Sequence, residues 1–599
     1  MIAKSSDVGN IDFGKSVRGF KWVLQERDTR TIRTLSQKLD IPEVLASLIY
    51  NRGVKTADEG IRFLEPKLKH LLADPYHLKD MDKAVVRTVK AISEHQKIAV
   101  FGDYDVDGAT STALLRRVFR ALGMSVITYI PSRLKEGYGL SNAALENLQK
   151  QGAELVITVD CGMLSFKPVS HGNNIGLDII IIDHHMGLES VPEAIAVINP
   201  NRVDDTSEFK SMAAVGVAFM FTIALRAKLR EMGWFTEHCI TEPNLLSFLD
   251  LVALGTVCDV MPLQGINRAF VYQGLKIIGQ RRNPGIRAIA DIAKVDDTPQ
   301  AYHLGYVIGP RINAGGRIGE GILGSDVLAT DSYEEAHAIA LKLETLNDER
   351  RAVEAIALED AIEQVESKKL YENTVIFVQS PDWHAGILGI LASKLKEKYL
   401  RPVAALLITE EVAKGSARSI VGLDISKVVS QAKAIGLLLD GGGHAMAAGL
   451  TLLPERLEEF YAYINEQLSH SRDAALLRAM ELPIDYVFTA SALNTELMAL
   501  IGQAGPFGQG NPMPKFALCD VILAHSSIVG GKHVLNVVHE HQDTGRKSIK
   551  CMLFNGAQTP LGSILLKSIG KKISLAGTVQ YNTFDHSKVD FIIEDAAFK

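Results

Sequence analysis

Asp183-His184-His185 closes the apolar run Ile179-Ile180-Ile181-Ile182, and three further acidic segments lie elsewhere in the chain. Phe101-Gly102-Asp103-Tyr104-Asp105-Val106-Asp107-Gly108 follows one apolar run, Val159-Asp160-Cys161-Gly162 follows another, and Val257-Cys258-Asp259-Val260 comes later. A run of four β-branched residues reads as a buried strand, and in open parallel sheets ligands sit beyond the carboxyl ends of strands. Carboxylates and imidazoles at several such ends can converge on one crevice and hold divalent metal. Hard carboxylates with one or two imidazoles suit Mn²⁺ or Mg²⁺ better than a thiolate-selected metal. Two ions ~3.5–4 Å apart can activate a water and stabilise the leaving oxygen of a phosphoester. The chemistry expected is therefore hydrolysis of a phosphoester or phosphoanhydride.

Each segment also has a plainer reading. Asp103, Asp105 and Asp107, spaced two apart before Gly108, could form a solvated turn or cap the helix that begins at Ala109-Thr110-Ser111. Asp183-His184-His185 alone could be a surface turn. Against this, Asp160 and Asp183 each end a run with no other charge inside it, where an unligated carboxylate is costly. Four acidic tips within one α/β stretch argue against coincidence.

These tips need a frame to position them. Residues 1–80 are helical in pattern, with Pro42 to Tyr50 opening an amphipathic segment. From Lys97, strand-like runs (Ile98 to Phe101, Leu155 to Val159, Ile179 to Ile182) alternate with helical stretches such as Ala109 to Ala121, which predicts a parallel α/β domain over 81–335. A charged helical stretch, 336–368, connects it to a second α/β domain, 369–455, whose end carries Gly441-Gly442-Gly443-His444. Residues 456–599 read as a helix followed by short strands that suggest a small antiparallel barrel.

The totals set bounds. At 599 residues, three or four domains are expected. Hydrophobic residues at 47% and charged residues at 22% describe an ordinary globular protein. The apolar stretch from Ala213 to Leu225 already contains Thr222 and is too short to span a bilayer, and Met1 to Asp7 lacks the apolar core of a signal peptide, so no membrane association and a cytoplasmic location are expected. Five cysteines without a C-x-x-C pair argue against a disulfide framework and a structural zinc site. A net charge of −6 does not advertise a nucleic-acid binder, but clustered metal-binding carboxylates contribute much of such a charge.

The ordered motifs resemble the DHH phosphoesterase superfamily over nearly the whole chain, and within it the single-strand-specific exonucleases. Gly102 to Gly108, Val159 to Gly162, Asp183-His184-His185 and Leu254 to Val260 are similar to its first four motifs. Gly309-Pro310-Arg311-Ile312-Asn313-Ala314-Gly315-Gly316-Arg317 is similar to its arginine-asparagine segment. Trp383-His384-Ala385-Gly386, Gly415 to Ser419 and Gly442-Gly443-His444 resemble the companion DHHA1 domain, and Pro506 to Pro512 resembles the start of an OB-fold domain. Met163 to Phe166 and Ala385 depart mildly from the common pattern and remove no ligand candidate.

The resemblance implies an α/β architecture: a parallel-sheet DHH domain and a DHHA1 α/β domain, joined by a long helix and facing each other across a cleft, plus a C-terminal OB-like barrel. It implies that Asp105, Asp107, Asp160, His184 and Asp259 are metal ligands for two Mn²⁺ or Mg²⁺ ions. Asp103 and Asp183 would be ligands or close supports, and His185 would lie by the scissile phosphate. Arg133, Arg311, Ser416 and Arg418 could form a pocket for a terminal 5′ phosphate, since guanidinium forks match phosphate oxygens. Asn313, Arg317, His384, Gly442, Gly443 and His444 are further strand-binding candidates, and Lys532, His533, Tyr581 and Phe584 are candidates in the barrel. The implied activity is 5′→3′ digestion of single-stranded DNA by a monomer, in repair and recombination. The implied partners are a single-strand-binding protein and a RecQ-type helicase. The alternative is another DHH enzyme acting on oligoribonucleotides, cyclic dinucleotides or polyphosphate. A non-catalytic scaffold is disfavoured because every ligand candidate is retained.

Overall fold

The apolar runs expected as strands do form one parallel sheet. In the computed structural model, which describes residues 11–25, 27–133, 136–295, 298–540, 548–582 and 585–599, two compact units are distinguished. One comprises 61–350 and 505–512; the other comprises the chain up to Gly60, 351–504 and 513–599.

In the first unit, β1 (Ile98–Gly102), β2 (Ile127–Tyr129), β3 (Leu155–Val159), β4 (Asp178–Ile182) and β5 (Ala196–Ile198) lie in the order β2-β1-β3-β4-β5, all parallel. Both faces are covered. Val100, Ile157, Ile180 and Ile182 point into one core, shared with α1 (Val106–Ala121), α2 (Ala214–Glu231) and α3 (Leu249–Cys258). Phe101, Val156, Ile179 and Ile181 point into the other, packed on Leu145, Leu148 and Val169 of two further helices. This is why Ile179–Ile182 reads as an unbroken run instead of an alternation: a strand buried on both faces has no polar side. The chain leaves β1 to one side for β2 and then crosses to β3, so the order reverses between β1 and β3. Such a switch point opens a crevice at the carboxyl ends.

α4 (Gly309–Ile318) follows, and α5 (Tyr333–Ser367) is 35 residues long. In the second unit, β6 (Ile376–Ser380), β7 (Val403–Ile408), β8 (Ala413–Arg418), β9 (Asp440–His444) and β10 (Ala447–Leu452) form a sheet in the order β9-β10-β8-β7-β6, with only the β6–β7 pair parallel. Five more strands, β11 (Phe516–Val529), β12 (His533–Glu540), β13 (Ser548–Leu553), β14 (Lys572–Tyr581) and β15 (Val589–Phe598), close on themselves as β11-β12-β13-β15-β14 and back to β11. Closure removes free edges, as in a small OB-like barrel.

Two features go beyond the sequence reading. The first 80 residues contain strands: Lys15–Ser16 pairs with β15, and Lys21–Leu24 pairs in parallel with Glu481–Ile484. These are too short to show a period, and Trp22 is drawn in by tertiary contact, its Nε1 donating to Asp595 at 2.9 Å. Residues 505–512 group with the first unit, where Arg268 donates to the carbonyls of Gly505 (2.5 Å) and Pro506 (3.4 Å), and the Leu263 amide donates to the Gln509 carbonyl (2.7 Å). Among the described residues, no helix is long and apolar enough to cross a membrane.

One buried charge carries a stability consequence. Asp250, in the first turn of α3, is buried, and burial pushes its carboxyl up to about 6 although Oδ1 accepts from the Leu251 amide. A folded-state value above the unfolded 3.8 means stability is lost as pH rises from about 4 through 6, with about 3 kcal/mol missing above that. Asp250→Asn should therefore raise the unfolding midpoint, by more at pH 8 than at pH 5. Equal midpoints for variant and wild type at pH 8 would contradict this.

Candidate metal centre

Strand register brings the first ligands together. Gly102 pairs with Val159, and Val159 pairs with Ile182. Asp103, Asp160 and Asp183 are each the next residue along, so three carboxyl groups emerge in one row at adjacent strand ends. Asp160 takes a left-handed backbone (φ 62°), which is uncommon for a residue with a side chain and typical of a functional site.

α1 supplies the next two. Asp105 is its N-cap, accepting from the amides of Asp107 (2.9 Å) and Gly108 (3.1 Å). A cap can still be a ligand, because a carboxylate has two oxygens. Gly108 is required: a Cβ there would lie 2.4 Å from the Asp103 carbonyl oxygen, so the loop could not fold back on the helix start. Asp107 is buried against the N-terminus of α2, where the amides of Ala214 (2.6 Å) and Val215 (2.9 Å) bind its two oxygens. Free N–H groups at a helix start favour such an anion. Asp259 corrects the expectation of a fourth strand tip. It caps the C-terminus of α3, a helix buried along most of its length, and Val260 beyond it has φ 58°.

Side chains from these elements converge. The His184 Nε2 lies 3.3 Å from Asp160, 3.5 Å from Asp259 and 3.8 Å from Asp107. Three overlapping groups have ligand atoms close enough for one ion: Asp103 with Asp105 and Asp160, Asp107 with His184 and Asp259, and Asp160 with His184 and His185. Asp103 Oδ1 and Asp259 Oδ2 are buried acceptors with no hydrogen-bond donor among the described residues. Burial first, then mutual repulsion, raises the carboxyls of Asp103, Asp160 and Asp259 well above the usual range and that of Asp107 to about 7. Such a set is satisfied by cations: oxygen-rich, partly imidazole and without thiolate, it fits Mn²⁺ or Mg²⁺. Cys161 is buried in the core beside it, and the Cys258 thiol donates to the Leu304 carbonyl.

Other candidates are distributed over both units. In the first, Arg133 lies over the Tyr104 ring at 5.2 Å, and Asn313 and Arg317 are half-buried on α4. The Arg311 guanidinium is engaged internally, by both Glu344 oxygens (2.5 and 3.1 Å) and the Val307 carbonyl (2.7 Å), since a buried fork needs a carboxylate. In the second unit, Ser416 pairs with Gly449, which pairs with Gly442; Arg418 pairs with Ala447, which pairs with His444. Ser416, Arg418, Gly442 and His444 therefore share one face of the sheet. A Cβ on Gly389 would lie 2.8 Å from Arg418 and 3.2 Å from Ser416, and His384 accepts from the Gly386 amide just before that helix. Gly443 needs its missing side chain, since a Cβ would meet the Ala447 carbonyl at 2.3 Å. In the barrel, Lys532 and Tyr581 are exposed and His533 packs against Phe554. Phe584 lies outside the described residues.

Some contributors were not singled out from sequence. Asn199 and Asn201, just past β5, donate to the carbonyls of His185 (2.8 Å) and His184 (2.5 Å). The Asn-Pro-Asn tip after an apolar run was the available signal. The Tyr138 hydroxyl donates to the Asp160 carbonyl and lies 3.3 Å from His185. Asp183 binds the amides of Met163, His184 and His185 and the His185 Nδ1 at 2.8 Å. Burial opposes charge on both partners, yet their ion pair holds Asp183 well below the usual carboxylate range and lifts His185 to about 9. The imidazolium thus persists at neutral pH and is lost only as pH rises through about 9. In metal-free protein, NMR titration should show His185 changing protonation near 9. In Asp183→Asn the midpoint should fall, because the hydrogen bond and charge that do most to oppose burial are gone and only more distant carboxylates such as Asp259 and Asp105 still favour the cation. An unmoved midpoint would show that Asp183 does not set the charge of His185.

Known proteins share these features in the same order. Family models match residues 97–256 (DHH family, N-terminal domain), 372–470 (DHHA1 domain) and 484–595 (RecJ OB domain). The single-stranded-DNA-specific exonuclease RecJ of Salmonella typhimurium is 39% identical over 82% of this chain and 86% of that protein. RecJ of Escherichia coli is 38% identical over 86% of this chain and 89% of that protein. The crystal structure of Thermus thermophilus RecJ in complex with Mn²⁺ superposes with a TM-score of 0.78 at 26% identity, covering 97% of this chain and 80% of that one. With three domain matches in order and this identity over most of its length, the chain belongs to the RecJ branch of the DHH family.

Proposed function

We propose that this chain is a divalent-metal-dependent exonuclease that degrades single-stranded DNA from the 5′ end to mononucleotides. The observation that carries the reading is the convergence of Asp103, Asp105, Asp107, Asp160, His184 and Asp259 at one switch point, with two buried acceptor oxygens left without donors among the described residues. The relatives named above are single-stranded-DNA-specific exonucleases, and Thermus thermophilus RecJ has been crystallised with Mn²⁺ and with Mg²⁺. Overlap of the ligand groups through Asp160 and His184 supports two adjacent ions. When bound, such ions acidify a water and neutralise charge on the leaving oxygen.

The chain's own residues would do the rest. Asp107, gripped by two amides, is held so that it cannot swing away when the ions leave. Asp183 keeps His185 cationic, with Nδ1 committed to the pair, so Nε2 is the atom left to contact a phosphate oxygen or to donate a proton. Arg133, Asn313, Arg317, His384, Ser416, Arg418, Gly442, Gly443 and His444 are assigned to the strand and its 5′ phosphate, whereas Arg311, committed to Glu344 and the Val307 carbonyl, supports the segment from within. The one-face alignment of Ser416, Arg418, Gly442 and His444 supports a phosphate cradle there. The closed barrel supports a polymeric substrate, since OB folds track single strands. We assign the protein to DNA repair and recombination in the cytoplasm, acting as a monomer beside a single-strand-binding protein and a RecQ-type helicase.

Digestion of oligonucleotides labelled at either end tests the reading. Early release of 5′-labelled mononucleotide is expected with Mn²⁺ or Mg²⁺ and not with EDTA. Asp107→Ala should lower the rate by about a thousandfold or more, and blunt duplex should resist. No cleavage of a long strand, with turnover of oligoribonucleotides, cyclic dinucleotides or polyphosphate, would move the chain to another DHH activity.

A further inference from the structure

Two large aromatic rings are displayed to solvent on the segment that packs against the end of α3, the helix that leads to Asp259. Tyr302 and Tyr306 are 60% and 73% exposed, yet they stack on each other at 5.2 Å with planes 22° apart. They flank the start of a π-helical turn, Leu304–Ile308, a rare irregularity that tends to mark functional sites. That turn is tied to the centre: the Leu304 carbonyl accepts from the Cys258 thiol at 3.3 Å, one residue before Asp259, and a Cβ on Gly305 would touch Val257 at 3.5 Å. On its other flank, the Tyr302 ring meets His303 edge-on at 5.8 Å, and His303 and Ile308 line a pocket of about 270 Å³ together with Arg281 and Arg287. Both arginines are partly exposed, and each reaches Asp291 with part of its guanidinium.

We propose that Tyr302, Tyr306 and the Arg281–Arg287 pocket form an outer strand subsite, where a nucleobase stacks on the tyrosines and a backbone phosphate lies at the arginines. Core packing does not account for the pair, because core aromatics are buried. A stacked pair left in water at this exposure offers a π-face to any base, which makes the subsite indifferent to sequence. Its attachment to the end of α3, at Val257 and Cys258, links the subsite to the element that carries Asp259. The proposal deepens the nuclease reading and rests on it.

The test is binding of a fluorescent dT 20-mer, and of an abasic 20-mer, measured by anisotropy in EDTA so that no cleavage occurs. Wild type is expected to favour the base-bearing strand, and Tyr302→Ala/Tyr306→Ala should lose about tenfold or more of that preference. Tyr302→Phe/Tyr306→Phe, which keeps the rings, should retain it, and this separates lost stacking from lost folding. An unchanged preference in the alanine variant would overturn the subsite and leave the nuclease reading standing. Wild-type protein that binds the strand in this way but fails to digest it with Mn²⁺ would overturn the nuclease reading and leave the subsite.

Discussion

Five carboxylates held within one buried crevice repel one another, and much of the first unit is arranged to keep them there. Asp103, Asp105, Asp107, Asp160 and Asp259 come from two strand ends, the N-cap and first turn of one helix, and the end of another helix. Left metal-free, the cluster holds protons that ordinary carboxylates would have released, as Asp107 with its value near 7 illustrates. The parallel sheet resists this repulsion because its strands are locked on both faces by isoleucine, valine and helix side chains. Local strain at Asp160, left-handed and buried at its strand end, is stabilised by the same packing.

Asp183 stands apart from the five. It spends its lone pairs on three amides and one imidazole, so it acts as the brace of the His184–His185 turn. Asn199 and Asn201 hold the same turn from the neighbouring strand end. One histidine is thereby turned among the carboxylates while the other is kept charged at the rim. Adjacent residues reach different roles because their backbone is fixed from both sides.

Much of this was legible in the sequence. Ile179–Ile182 could only be a strand buried on both faces, and its Asp-His-His end followed from the sheet's polarity. Asp105 was readable both as a cap and as a ligand, and the geometry allows both. What escaped depended on tertiary partners. Nothing local says that Asp259 ends a helix, since Leu251 to Gly255 is as apolar as a strand. Lys15–Ser16 and Lys21–Leu24 are too short to show a period, and their pairing partners lie several hundred positions along the chain. The internal pairing of Arg311 with Glu344 is likewise invisible without the fold, because neither residue's neighbours predict the other.

The account stands or falls on the crevice being a cation site. Calorimetric titration of metal-free protein with Mn²⁺ at pH 7, in buffers of different ionisation enthalpy, reads both the number of ions and the protons displaced. The account predicts two ions per chain, net proton release from the raised carboxyls, and loss of binding in Asp160→Asn, whose side chain is shared by two ligand groups. No binding by wild type, or unaltered binding in that variant, would contradict it.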